Sequence, residues 1–119
     1  MARRDNEGDQ EQMKEFEIPS IDLVIVDLYP FEQTVASGAS DADIIEKIDI
    51  GGISLIRAAA KNFNDVVIVA SKDQYKPLLD ILNKQGATTD KATRKWFAGQ
   101  AFGVSSHYDT AIHAYFEKK

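Results

Sequence analysis

Cysteine is absent from the 119 residues, so disulfides and thiolate-held metals are excluded, and a reducing compartment is compatible with the chain. Basic charge is scarce. Fourteen Lys and Arg stand against 19 Asp and Glu, a net charge of −5, with no basic block beyond Arg3-Arg4. That balance argues against a nucleic-acid backbone as partner, though not against a small phosphorylated ligand held by a few local donors. No apolar run approaches membrane-spanning length, and Arg3-Arg4 precedes no hydrophobic signal region. The expectation is therefore a soluble, cytoplasmic protein without a membrane partner. Histidine occurs twice, at His107 and His113. Six residues apart, they do not come together as ligands on a helix, so both read as surface or packing residues and no metal site is expected. Neither an internal repeat nor a low-complexity tract is present.

What is present is a 44% hydrophobic content, ordinary for one globular domain or part of one. The organising stretch is residues 49–62, DIGGISLIRAAAKN. Gly51-Gly52 frees the backbone where a helix should begin. A helix start exposes unpaired N–H groups and partial positive charge, a seat for a phosphate or a polarised carbonyl oxygen. Arg57 and Lys61 share one helical face, and the alanines at 58–60 are small enough for close packing. The plain structural reading of the same residues is that Asp49 caps the helix and Lys61 complements its dipole.

Along the chain, residues 1–20 are polar and allow one short helix around Met13 and Phe16, stopped by Ile18-Pro19. Residues 21–26 (IDLVIV) and 65–70 (DVVIVA) are short, β-branched and nearly continuous, the pattern of parallel strands buried on both faces. The first runs into Asp27-Leu28-Tyr29-Pro30-Phe31, placing polar and aromatic groups at a strand's carboxyl end, where open α/β sheets bind ligands. Ser40 with Asp43, and Ser71 with Gln74, are capping-box patterns. Pro77 either kinks the helix after Ser71 or marks its true start. Thr88, Thr89 or Asp90 caps a long last helix whose aromatics (Trp96, Phe97, Phe102, Tyr108, Tyr115, Phe116) read as core or oligomer contacts. Gly99 and Gly103 in it read as sites of close packing. The topology is α/β, one βαβ crossover with helical additions. Two strands are few for an independent sheet, so the chain reads as part of a larger parallel-sheet domain or as a borrower of strands.

The strings IDLVIVDLYPF, TVASGASDADIIEKIDIGG and SLIRAAAKN, with LYPF, IDIGG and RAAAKN as their cores, resemble the inosine monophosphate cyclohydrolase domain of the bifunctional purine-biosynthesis enzyme that also carries a formyltransferase domain. The resemblance runs over essentially the whole chain. It implies a partial three-layer, methylglyoxal-synthase-like or Rossmann-like α/β fold, and residues 1–119 forming the C-terminal portion of a cyclohydrolase domain. The domain's N-terminal part, with a phosphate site and an Arg-x-Lys-Thr motif, and the formyltransferase domain would lie outside the chain. The implied reaction is dehydrating ring closure of a formamido-imidazole carboxamide ribonucleotide, with no cofactor, on a purine nucleotide, in a homodimer. Carried over by position, Lys61 is the acid/base lysine and Asp49 the carboxylate beside the base ring. Tyr29 holds or protonates the formyl oxygen. Val26, Asp27 and Ile50 line the nucleotide site, and Arg57 is structural. Asp27 departs from the family, which usually has asparagine there. A carboxylate only accepts, whereas an amide also donates, so one contact to the base is lost or reversed. The competing readings are a non-catalytic nucleotide- or phosphosugar-binding module, and a structural piece that oligomerises through its last helix.

Overall fold

A computed structural model describes residues 1–118. The elements in chain order are α1 (Glu7–Glu15), β1 (Leu23–Ile25), α2 (Phe31–Ala36), α3 (Asp41–Glu46), α4 (Gly51–Lys61), β2 (Val67–Val69), a 3-10 turn (Lys72–Gln74), α5 (Tyr75–Gln85) and α6 (Lys91–Glu117). Most helix starts obey their local chemistry. Asn6 accepts from the Asp9 N–H, Ser40 from the Asp43 N–H and Asp90 from the Thr93 N–H, each satisfying a donor that the first turn leaves unpaired. At the 3-10 turn, Ser71 accepts from the Asp73 N–H while the Gln74 side chain accepts from the Ala70 N–H. Pro77 lies in the first turn of α5, where its missing N–H costs no helical hydrogen bond. The helix begins just before it and needs no kink.

The sheet has two strands, parallel, with Leu23 opposite Val67 and Ile25 opposite Val69. Because side chains alternate, Ile68 and Ala70 face a cluster containing Ile56, Ala59 and Ala60 of α4. Val67 and Val69 face Leu78 of α5. Helix α6 contributes to both clusters, Ala98 and Ala101 to one and Phe97 to the other. A helix that reaches both faces lies along the strand's outer edge, which is one way to cover unpaired backbone groups. The result is a narrow three-layer arrangement: α4, sheet, α5.

Only β2 has the two-sided burial expected of both strands. In β1 Leu23 is 39% and Ile25 50% exposed, because α5 covers Val67 and Val69 but does not extend over their in-register neighbours. Val24 and Val26 pack on the α4 side. The apolar run of residues 21–26 forms a strand over Leu23–Ile25, and its outer face has no cover among the described residues.

The reading of Gly99 and Gly103 as close-packing positions is likewise corrected. A Cβ built on either meets nothing within 4 Å, and both residues are exposed along one wall of a cleft. Glycine inside a helix costs about 0.5–1 kcal/mol relative to alanine. Gly99→Ala and Gly103→Ala should therefore each stabilise the fold by about that amount, read as a rise in the urea midpoint.

Candidate functional site

The carboxyl ends of both strands, the loop after β1 and the middle of α6 enclose a cleft of about 930 Å³. Asp27 and Tyr29 form one side, Ser71 and Lys72 follow β2, and Gln100 and His107 project from α6. This is where an open α/β sheet is expected to receive a ligand. At its rim His107 Nε2 lies 2.6 Å from Glu32 Oε1, and both side chains are exposed. Asp27 Oδ2 accepts from the Tyr75 hydroxyl at 3.2 Å. Partial burial, and then this carboxylate, raise the Tyr75 phenol above its ordinary value.

Behind that loop lies a second, tighter constellation around Asp49, which is buried. Its Oδ1 accepts from the Ile53 N–H at 3.0 Å and its Oδ2 from the Tyr29 N–H at 3.2 Å. One carboxylate thus caps α4 and ties down the strand-end loop 20 residues earlier. The N-terminus of α4, expected as a seat for an anion, is occupied by the chain's own acid. A phosphate there would meet like charge.

The glycine pair has a correspondingly divided role. A Cβ on Gly52 would fall 2.7 Å from Asp49 Oδ1, whereas one on Gly51 meets nothing within 4 Å. Gly52 is small so that the carboxylate can lie against the helix.

The third member was not legible as a site residue. The Tyr108 hydroxyl accepts from the Asp49 N–H at 3.0 Å. Its oxygen stands within donor distance of two carbonyl oxygens, Lys47 at 2.9 Å and Tyr29 at 3.1 Å, and its single proton can serve either. Tyr108 is buried against Phe31 and Ile44, and that desolvation raises its phenol above the ordinary value despite the Asp49 N–H, which pulls the other way. Fifty-nine residues separate it from Asp49, and helical periodicity marked it only as core. Lys47 was missed too; its ammonium stands 5.6 Å from the centre of the Tyr29 ring.

The remaining expected residues fall into three places. The Val26 side chain packs on the α4 core cluster, and its N–H donates to the Val69 carbonyl at 2.9 Å. Ile50 is 73% exposed beside Asp49, with its carbonyl held by the Ser54 N–H and hydroxyl. Lys61 is exposed at the last position of α4. Twelve residues of near-helical rise put it about 18 Å from Asp49 along the axis. Arg57, on the same face as Lys61, stacks its guanidinium 5.7 Å from the Phe102 ring. The structure thus gathers Asp27, Tyr29, Asp49 and Ile50 at one end of the molecule and holds Lys61 at the other end of the helix.

Comparison with known proteins gives a consistent family. Residues 59–119 match the AICARFT/IMPCHase bienzyme family and residues 2–54 the MGS-like domain. The bifunctional purine biosynthesis protein PurH of Bacteroides thetaiotaomicron is 70% identical over 117 residues, covering 98% of this chain and 23% of that protein. PurH of Rhodospirillum rubrum is 46% identical over 114 residues, covering 96% and 22%. The chain therefore spans under a quarter of the length of these relatives. Among solved structures, the crystal structure of ForH aligns with a TM-score of 0.79 at 33% identity, covering 95% of this chain and 59% of that one.

Two tests probe the constellation. Gly52→Ala must push the Asp49 carboxylate off its two donors and should destabilise the chain by about 1–2 kcal/mol, while Gly51→Ala should be neutral or stabilising. Urea midpoints compare them. The second test is pH. Tyr75, Tyr108 and Tyr115 are all raised, Tyr115 chiefly by its hydrogen bond to Asp41. A phenol whose folded pKa is raised contributes stability that is whole below the unfolded value, about 10, and is lost as pH climbs through the folded value. The urea midpoint should hold up to about pH 10 and fall above it, and the fall should be shallower in Tyr108→Phe.

Proposed function

The chain belongs to the AICARFT/IMPCHase bienzyme family, and from that membership we propose that it forms part of an inosine monophosphate cyclohydrolase site. On this reading residues 1–119 are the C-terminal portion of a cyclohydrolase domain, working in the cytoplasm as a homodimer on a purine nucleotide. The reaction closes a ring: the carboxamide nitrogen attacks the formyl carbon, a C–N bond forms, and the former formyl oxygen takes up protons and leaves as water. An amide nitrogen is a poor nucleophile and a formamide a poor electrophile, so the site must orient both, accept a proton and stabilise the developing oxyanion.

The observation that carries this reading is the 3.2 Å bond from the Tyr29 N–H to Asp49 Oδ2, which couples the two residues assigned to the reacting end. Asp49 already accepts two backbone N–H groups. A carboxylate has about four acceptor sites, which leaves capacity for the substrate carboxamide N–H. Tyr29, 57% exposed, presents its phenol to the formyl oxygen with the Lys47 ammonium beside the ring. Asp27 accepts a donor from the base ring in place of the family's usual amide, in competition with Tyr75. Ile50 offers an exposed apolar surface to the base. Lys61 is the proposed acid/base group. The separation of about 18 Å along α4 favours a second reading in which this chain binds the nucleotide without completing the chemistry.

Ring closure of the formamido ribonucleotide, followed by absorbance, separates these. Supplied with a polypeptide covering the remainder of the cyclohydrolase domain of the Bacteroides relative, the chain should catalyse, and alone it should not. In that mixture Lys61→Ala should lower kcat by about 100-fold or more. An unchanged kcat would remove Lys61 from the chemistry. Binding of inosine monophosphate with no turnover in either sample would establish the binding module instead.

A further inference from the structure

We propose that Tyr108 is a positioning residue that holds Tyr29 and Asp49 in a single arrangement, so that the candidate site is aligned from α6 rather than from the strand-end loop itself. The assignment of Tyr29 and Asp49 to the chemistry rests on the reading above; the positioning itself rests on contacts. Loops at strand ends carry few hydrogen bonds of their own and are the mobile part of most α/β sites. Here the loop after β1 and the turn before α4 meet at one phenol. The Tyr108 oxygen receives the Asp49 N–H at 3.0 Å and stands within donor reach of the Tyr29 and Lys47 carbonyls. Asp49 then returns the link to Tyr29 through its carboxylate. The ring forms a closed circuit: Tyr108 to Asp49 backbone, Asp49 side chain to Tyr29 N–H, Tyr29 carbonyl back to Tyr108.

Two features make the phenol suited to this. Its ring is fixed by an edge contact with Phe31, centroids 6.1 Å apart, on a helix anchored to β2 through Phe97, Ala98 and Ala101. Its hydroxyl is both donor and acceptor, so it can serve an N–H and a carbonyl at once. Phenylalanine fills the same space and serves neither. Because the Tyr29 backbone sets where its ring projects, and the Asp49 backbone where its carboxylate points, loss of the hydroxyl misaligns both side chains without touching either.

Amide hydrogen exchange and titration with inosine monophosphate, on the whole chain, test this. In Tyr108→Phe the Tyr29 and Asp49 amides should exchange faster by a factor at least tenfold larger than any change at Ile68 and Val69 of β2. An equal rise at all four would make Tyr108 an ordinary core residue and overturn the proposal. The affinity for inosine monophosphate should drop at least tenfold in Tyr108→Phe, yet stay within twofold in Tyr115→Phe, which loses a hydroxyl on the same helix from its bond to Asp41. Unchanged affinity in Tyr108→Phe would also overturn the proposal. If the unaltered chain takes up no inosine monophosphate, the nucleotide reading falls and the exchange comparison alone decides the positioning. If Tyr108→Phe does not fold, the unaltered chain decides. Its Tyr29 and Asp49 amides should show protection within threefold of each other, as one opening unit, and a difference above tenfold would sink the circuit.

Discussion

Residues 66–70 are buried on both faces, and α4, α5 and α6 are located by how they cover them. Helix α4 lays Ile56, Ala59 and Ala60 on one side and α5 lays Leu78 on the other. Alanines at the first contact let the helix approach closely, so backbone and strand fix the spacing with little side-chain adjustment. Helix α6 is the consequential partner. At 27 residues it is a rod of about 40 Å, and docking its first half along β2 through Phe97, Ala98 and Ala101 determines where its second half arrives. It arrives over the loop after β1, with Tyr108 between Tyr29, Lys47 and Asp49. A strand buried by three helices thus sets the geometry of a site to which it contributes only its carboxyl end.

That dependence explains what the sequence could and could not reveal. Features decided within a few residues were legible: the Ser40 cap, a cap for the last helix at one of Thr88, Thr89 and Asp90, the turn at Ser71, the apolar strand within residues 65–70 and the parallel crossover, while Pro77 was narrowed to a kink or a helix start. Features decided by neighbours were not. The run at residues 21–26 has the same composition as β2, but composition cannot say what lies over Leu23 and Ile25. Gly99 and Gly103 lie at a spacing that in many helices marks a close crossing, and here they border open space. Tyr108 sits among apolar positions of a long helix, where a buried ring is the ordinary explanation. Only the fold shows that its hydroxyl meets two loops. The candidate residues were found because local motif and family resemblance coincide at Tyr29 and Asp49. Lys47 and His107, which stand beside the site, carry no local signal of any kind.

Asp49 changes the electrostatic sense of the site. A helix start preceded by glycines ordinarily favours an anion, and the same backbone here is turned to the opposite use. The carboxylate satisfies the Ile53 N–H, and Gly52 gives it room to do so. The positive end of the α4 dipole is thereby spent on stabilising a buried negative charge. A buried carboxylate held by backbone donors is an acceptor poised for N–H groups and inhospitable to phosphate. On the proposed reading, a nucleotide at this end presents its base rather than its phosphate to Asp49. On that reading the exposed Ile50 and the exposed Tyr29 phenol suit the same orientation: an apolar contact and a proton donor for a planar ring edge. The chemistry proposed for the site and the polarity of the helix that builds it point the substrate in the same direction.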